Sequence, residues 1–328
     1  MQCGVGGTEV RALLVIAALL AFPAWGQGLS KPVRVIVPFP AGGGTDVLAR
    51  IVAEKLRGSY AQTVIVENRV GASGRTGVEA VKNAEPDGTT LLFTPDFLIT
   101  VYPHSFRKLS YDPVADFAPV AIVARSQLAL AAGPGVPSGV RTARDYVEWV
   151  KANPKNGFFA TTSAGGTPHF VGVMLSKAAG VELSPVHYKG GAPALQDLLG
   201  GQIPVSINPV GEVLPYVKSG KIRVLATTGS ERSAFLPDVP TMVEAGYRDV
   251  LVQAWLGFLA PARTPPATIS RLSEAIAIAA GSSDASENMR KFGMQPASTG
   301  PAAFAATIHA DLGRWAPIVK ASGFTAED

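Results

Sequence analysis

The sequence predicts an α/β fold of largely parallel sheets divided into two lobes. Short apolar runs rich in β-branched residues alternate with segments of helical pattern, the order that parallel strands joined by crossover helices require. Glycine-rich turns stand where strand passes into helix. The 328 residues, 47% apolar and 16% charged, exceed a typical single domain and supply ample material for buried cores.

The first strand is Val33 to Val37, whose apolar run breaks at Pro38-Phe39-Pro40-Ala41-Gly42-Gly43-Gly44 before a helical pattern starts at Thr45-Asp46 and runs to Leu56. Strands are expected at Val64 to Val66, Thr90 to Phe93, Val120 to Val123 and Leu128 to Ala132. Gly133-Pro134-Gly135-Val136-Pro137 then punctuates the chain between apolar runs, so a passage from one lobe to the other is expected near residue 127. Helices Ala143 to Lys151, Phe170 to Ala178, Pro193 to Leu199 and Glu212 to Lys218 interleave with strands Phe158 to Ala160, Val205 to Ile207 and Arg223 to Ala226. A return crossing is expected over Val250 to Leu259, with a strand at Trp255 to Leu259 and a helix at Thr268 to Ala280. The expected division is 27–126 with 251–328 as lobe 1 and 127–250 as lobe 2. There is no internal repeat and no low-complexity segment.

At the N-terminus, Arg11 precedes the apolar run Ala12 to Phe22, and Ala24 and Gly26 fit a small-x-small cleavage pattern. The run is too short for the roughly 20 residues that span a bilayer, so residues 1–26 read as a signal peptide and the mature chain as exported. The only cysteine, Cys3, leaves with that segment. The mature chain then has no thiol chemistry, disulfide or cysteine metal site, as an oxidising compartment permits. Net charge is +4, but Lys and Arg are scattered without a basic stripe, which argues against a nucleic-acid partner.

The turn after Val37 is built to hold an anion. Consecutive glycines let the backbone approach a bound group, and the first helical turn leaves N–H groups without intrahelical acceptors. The same grammar recurs at Thr161-Thr162-Ser163-Ala164-Gly165-Gly166-Thr167-Pro168-His169, with Thr167 as expected N-cap and Pro168 at the first helical position. It recurs again at Tyr188-Lys189-Gly190-Gly191-Ala192-Pro193. If the lobes face each other, several helix N-termini converge on one cleft, each worth about half a positive charge. The expected ligand is a small carboxylate held mainly by backbone amides and hydroxyls.

Enzymatic constellations are missing. Ser163 lacks the flanking G-x-S-x-G elbow, and His104, His169, His187 and His309 show no metal-ligand spacing. No turn reads G-x-G-x-x-G, and the lysine-serine ending of a phosphate loop is absent. A non-enzymatic protein without cofactor or metal is expected.

Six segments occur in order along the chain. They are Pro38 to Asp46; Glu67-Asn68-Arg69 with Gly71-Ala72-Ser73-Gly74; Tyr111-Asp112-Pro113 with Asp116-Phe117; Tyr188 to Ala192; Leu236 to Thr241; and Leu259-Ala260-Pro261. Together they resemble the Bug family of periplasmic solute-binding proteins, the receptors of tripartite tricarboxylate transporters. The resemblance implies the two-lobed periplasmic binding protein fold (type II, Venus-flytrap), each lobe a mostly parallel sheet flanked by helices. It also implies a periplasmic monomer that captures a carboxylate-bearing solute and delivers it to membrane permease subunits. Presentation of the bound solute to a membrane sensor kinase is the alternative, because both roles need the same ligand-induced closure. Carried over by the resemblance, ligand contacts fall at Phe39, Ala41, Gly42, Gly43, Thr45 and Asp46 on one side and Ser163, Gly166, Thr167 and His169 on the other.

Three further candidates concern specificity. Asn208 stands where the resembled family frequently has aspartate. Its uncharged amide tolerates a carboxylate and grips an ammonium group poorly, which favours a dicarboxylate, tricarboxylate or aromatic acid. Phe97 is expected near the cleft mouth, and Lys189 either steers anions from the rim or is a solvated loop lysine. Other readings stay open too. Asp46 serves the helix dipole or the ligand, His169 packs and caps or touches the ligand, and Phe39 and Phe97 are core or cleft wall.

Overall fold

The computed structural model describes residues 30–326; the expected signal peptide at 1–26 lies outside the described residues. In chain order the elements begin β1 (Val33–Val37), α1 (Gly44–Leu56), β2 (Val64–Asn68), α2 (Arg75–Lys82), β3 (Thr90–Pro95), α3 (Phe97–Thr100), α4 (Tyr102–Ser105) and β4 (Phe117–Ala132). Next come α5 (Ala143–Ala152), β5 (Phe158–Thr161), α6 (Thr167–Ala179), β6 (Ser184–His187), α7 (Gly191–Leu199), β7 (Val205–Pro209), α8 (Val210–Lys218) and β8 (Arg223–Thr227). The last are β9 (Gln253–Pro261), α9 (Pro266–Gly281), α10 (Ser283–Lys291), β10 (Gln295–Thr299) and α11 (Pro301–Ser322).

The strand order β2-β1-β3-β9-β4-β7-β5-β6 joins two sheets through β4. β1 runs parallel to β2 and β3, with Val35 opposite both Val66 and Leu91. Its sequence is almost uniformly apolar because helices cover both faces of a parallel sheet: Val33, Val35 and Val37 face one core and Ile36 the other. β5 is likewise parallel to β6 and β7. The middle is antiparallel. Along β4, Phe117 to Gln127 pair with β9, while Leu128 to Ala132 pair with β7. The sheets are therefore parallel at their flanks and antiparallel at the junction.

The apolar runs Val120 to Val123 and Leu128 to Ala132 belong to a single 16-residue strand. The intervening Arg125-Ser126-Gln127 looks like a break in sequence but stays extended because β9 pairs through it. Each sheet carries apolar clusters on both faces. α11 spans the two halves: Phe304 and Ile308 join a first-sheet cluster, whereas Trp315 and Val319 join a second-sheet cluster. α2, α3, α4, α10, β10 and α11 were not marked by the apolar periodicity of the sequence.

Candidate functional site

The loop after β1 is held in shape from within the protein. Gly42 takes a φ of +87°, the left-handed region that favours glycine. Its N–H donates to Asp46 Oδ2 at 2.9 Å. Arg50 donates to both oxygens of the same carboxylate, at 3.0 and 2.9 Å. Asn68, the last residue of β2, donates to Asp46 Oδ1 at 2.8 Å and to the Phe39 carbonyl at 2.9 Å. Burial alone would raise the Asp46 carboxyl, but the bonds from Arg50, Gly42 and Asn68 hold it below the usual carboxylate range. Asp46 is only 2% exposed, and its oxygens are filled by protein donors. It braces the loop and leaves no side for a ligand.

The amides that follow are different. Gly43, Gly44 and Thr45 open α1, and Gly43 is its N-cap, with no side-chain cap. Ala41 to Gly43 are exposed and Gly44 and Thr45 half-buried, and helix geometry gives these first-turn N–H groups no intrahelical acceptor. Beside them, Phe39 and Phe97 are both half-buried, with ring centroids 6.0 Å apart. A neighbouring turn supports Phe39. Gly71, Ala72, Ser73 and Gly74 all have positive φ, which is strained for the two residues with side chains. Tyr102 donates its hydroxyl to the Ser73 carbonyl at 3.1 Å. A Cβ on Gly74 would stand 2.8 Å from Leu98 and 3.4 Å from the Phe39 ring.

In the second half, the N-cap of α6 is Gly166 and not Thr167. Gly166 is extended (φ −94°, ψ 176°), and Thr167 and Pro168 form the first helical positions. Gly166 also accommodates Ser163, since a Cβ there would stand 2.2 Å from Ser163 Oγ. That hydroxyl is buried without a protein partner among the described residues. Thr167 is 2% exposed, and its hydroxyl donates to Asp96 Oδ2 at 3.5 Å. His169 Nδ1 accepts the Gly165 amide at 3.2 Å, and its ring packs among Phe170, His187 and Phe324. Burial, then the neighbouring His187, pushes its pKa down to about 4. His169 is a neutral side chain that shapes the α6 turn.

Lys189 is exposed, and its turn is tied to the preceding one by the Gly190 amide donating to the Thr162 carbonyl at 2.9 Å. Asn208 is wholly buried. Its Oδ1 accepts the Ser206 hydroxyl and its Nδ2 donates to Glu212 Oε2 at 2.8 Å, so Asn208 itself does not face open space.

These turns come together. α1, α6, α7 and α8 each start at the carboxyl end of a strand, the edge where α/β sheets bind ligands. Contacts between the halves show those edges facing each other. Asp96 meets Thr167, and Ser105 Oγ donates to the Gly165 carbonyl at 3.2 Å. A Cβ on Gly211 would stand 1.8 Å from the Phe292 carbonyl oxygen, and within the first half one on Gly44 would stand 2.9 Å from Met294, two residues further on. Two groups were not marked by the sequence reading: Asp96, buried between the halves, and Glu212, in the first turn of α8. Each is one carboxylate just past an apolar strand, and nothing in the spacing distinguishes it from a helix-starting acid. A shallow groove lined by Lys82, Tyr111 and Asp116 lies at the far end of α2 from this site.

Residues 48–324 match the model of the tripartite tricarboxylate transporter family receptor (TctC). The chain belongs to this receptor family. Protein BugT of Bordetella pertussis (strain Tohama I) is 33% identical to the receptor over 295 residues, 90% of either chain. Two solved structures are similar over the whole fold. The periplasmic binding protein BugD is 31% identical with a TM-score of 0.78, covering 90% of this chain and 99% of that one. The R. palustris protein Rpa4515, solved with adipate, is 30% identical with a TM-score of 0.82, covering 90% and 98%. The receptor thus has the two-lobed periplasmic binding protein fold, and its family is one of solute-binding receptors. Among the described residues no helix is long and apolar enough to cross a membrane, and no group of three or more His, Cys, Asp or Glu could hold a metal ion.

Proposed function

We propose that this receptor works in the periplasm, closes two lobes on a small carboxylate-bearing solute, and delivers it to the membrane permease subunits of a tripartite tricarboxylate-type transporter. The observation that carries this reading is the α1 entrance. It presents amides at Gly43, Gly44 and Thr45 on a loop whose one nearby carboxylate, Asp46, is already filled by Arg50, Asn68 and Gly42. Such an entrance attracts an anion through the helix dipole and has no free charge to repel it. The adipate-bound relative supports a carboxylate as the solute.

In this reading the lobes divide as 27–126 with 251–328, and 127–250. The change of partners along β4 between Gln127 and Leu128 supports that boundary. Gly43 and Thr45 hold the carboxylate, with Ala41 beside them. Gly42 and Asp46 shape the loop, and Phe39 and Phe97 form an apolar wall. Ser163, Gly166 and Thr167 close from the other lobe, His169 holds their turn, and Lys189 lies on the rim. Closure is driven by contacts made only when both lobes meet the solute, because a ligand bound equally in both forms shifts nothing.

The test is a thermal-shift screen of the mature chain against mono-, di- and tricarboxylates, amino acids and aromatic acids, with amines and sugars as controls. A ligand that binds only the native state raises the melting temperature. Carboxylates alone should do so. Shifts from uncharged sugars or simple amines, with none from any carboxylate, would contradict the proposal.

A further inference from the structure

Glu212 is the one acidic side chain of the second-lobe turns that the carboxylate reading leaves without a role. Its Oε2 accepts Asn208 Nδ2 at 2.8 Å, and Asn208 Oδ1 accepts the Ser206 hydroxyl. Ser206 and Asn208 are both wholly buried, so this relay fixes the aim of the Glu212 carboxylate from within the lobe. On its other side, a Cβ on Gly191 would stand 1.9 Å from Oε2 and 2.9 Å from Asn208 Nδ2. The glycine that opens α7 is what leaves the carboxylate its place.

Among the described residues the carboxylate has no counterion: Asn208 is the one hydrogen-bonding neighbour found for it there, and no described cation acts on it. The residue is exposed, while the Gly191 backbone and Asn208 stand close against its carboxyl oxygens; desolvation there raises its pKa, opposed by the bond from Asn208. The start of α8 also meets the segment of the first lobe that packs on the start of α1. Gly211, next to Glu212 in sequence, packs against Phe292 and Gly293, and Met294 packs against Gly44. A carboxylate held in place with no described cation beside it gains from a cation brought by the ligand and repels a second anion.

We propose that Glu212 sets the solute class: an organic acid that also carries a cationic nitrogen, its carboxylate on the α1 amides and its nitrogen on Glu212. The assignment rests on the carboxylate reading above and reverses the expectation drawn from Asn208. That amide is consumed inside the relay, so the group presented to the solute is the charge four residues further on.

The test is calorimetry on the wild-type receptor and Glu212→Gln with three matched series: amino acids, the corresponding hydroxy acids, and the corresponding dicarboxylates. Wild type should favour the amino acids by about tenfold or more, the equivalent of one favourable charge contact. Glu212→Gln keeps an acceptor for Asn208 and should erase that preference while strengthening dicarboxylate binding. Dicarboxylates or hydroxy acids binding wild type as tightly as amino acids would overturn the assignment and leave the carboxylate reading standing. That comparison needs only the wild-type protein, so it holds even if the variant folds poorly. Failure of every carboxylate, in these series and in the broader screen, would instead bring down the carboxylate reading itself.

Discussion

Replacing Asp96 with Asn should remove a large part of the pH dependence of the receptor's stability. Asp96 stands at the end of β3, 1% exposed, with Thr167 of the opposite lobe 3.5 Å from its Oδ2. Burial, then the nearby Asp311 carboxylate, pushes its pKa up to about 8, with Arg314 opposing. In the unfolded chain an Asp loses its proton near pH 3.9. A folded pKa above the unfolded one means that stability is full below about pH 4 and is lost as pH rises towards about 8. Across that window folding takes up a proton, at about 1.4 kcal/mol per pH unit, so the total is on the order of 5 kcal/mol. Asn mimics the neutral acid in shape and has no proton to take up. Urea denaturation followed by circular dichroism, at intervals from about pH 4.5 to 8.5, should show wild type losing stability relative to Asp96→Asn at nearly that slope. Two parallel profiles would refute the reasoning and would mean that Asp96 is ionised in the folded receptor.

Four other outcomes follow from the same geometry. Gly43→Val should leave the fold intact, since the nearest atom to a Cβ there is the Pro40 carbonyl oxygen at 3.7 Å. It should abolish ligand binding by standing over the α1 amides, and normal affinity by calorimetry would make the loop purely structural. Thr167→Val should weaken binding with the far-UV spectrum unchanged; unaltered affinity would remove Thr167 from the site. His169, held down at about 4, favours the fold fully above about pH 6.5, a benefit lost as pH falls towards 4, for a total of about 3 kcal/mol. His169→Gln should flatten that acid limb in denaturation profiles, and an unchanged limb would show the ring protonated in the fold. Gly191→Ala should displace Glu212 and weaken amino-acid binding without a comparable loss for monocarboxylates, measured by titration of both; equal losses would show general damage to α7.

Much of the fold is readable in the sequence because buried strands and turn glycines leave strong local signals. β1 (Val-Arg-Val-Ile-Val), β5 (Phe-Phe-Ala-Thr) and β7 (Val-Ser-Ile-Asn-Pro) are short, mostly buried segments carried by apolar residues, and each ends in a turn rich in glycine or proline. The parts that were not readable depend on partners distant in the chain. β10 (Gln-Pro-Ala-Ser-Thr) has almost no apolar signal and is a strand only because β4 pairs with it. α11 lacks one apolar stripe because its two halves face different clusters. The site shows the same division. The glycine loop and the α6 turn stood out, whereas the roles of individual side chains depended on contacts from elsewhere. Asp46 looks like a ligand contact until Arg50 and Asn68 are seen to fill it, and His169 until the Gly165 amide and Phe324 surround it. Asn208 stood out for its position at a strand end, but the carboxylate it orients lies four residues away on the next helix.

The most direct measurement is a crystal structure of the receptor soaked with the strongest carboxylate from the thermal-shift screen. Anchoring at the helix entrance puts a carboxylate oxygen within hydrogen-bonding distance of the Gly43, Gly44 or Thr45 amides, enclosed between the two lobes. A carboxylate bound outside that space, or one held by side-chain cations with those amides facing water, would contradict the account.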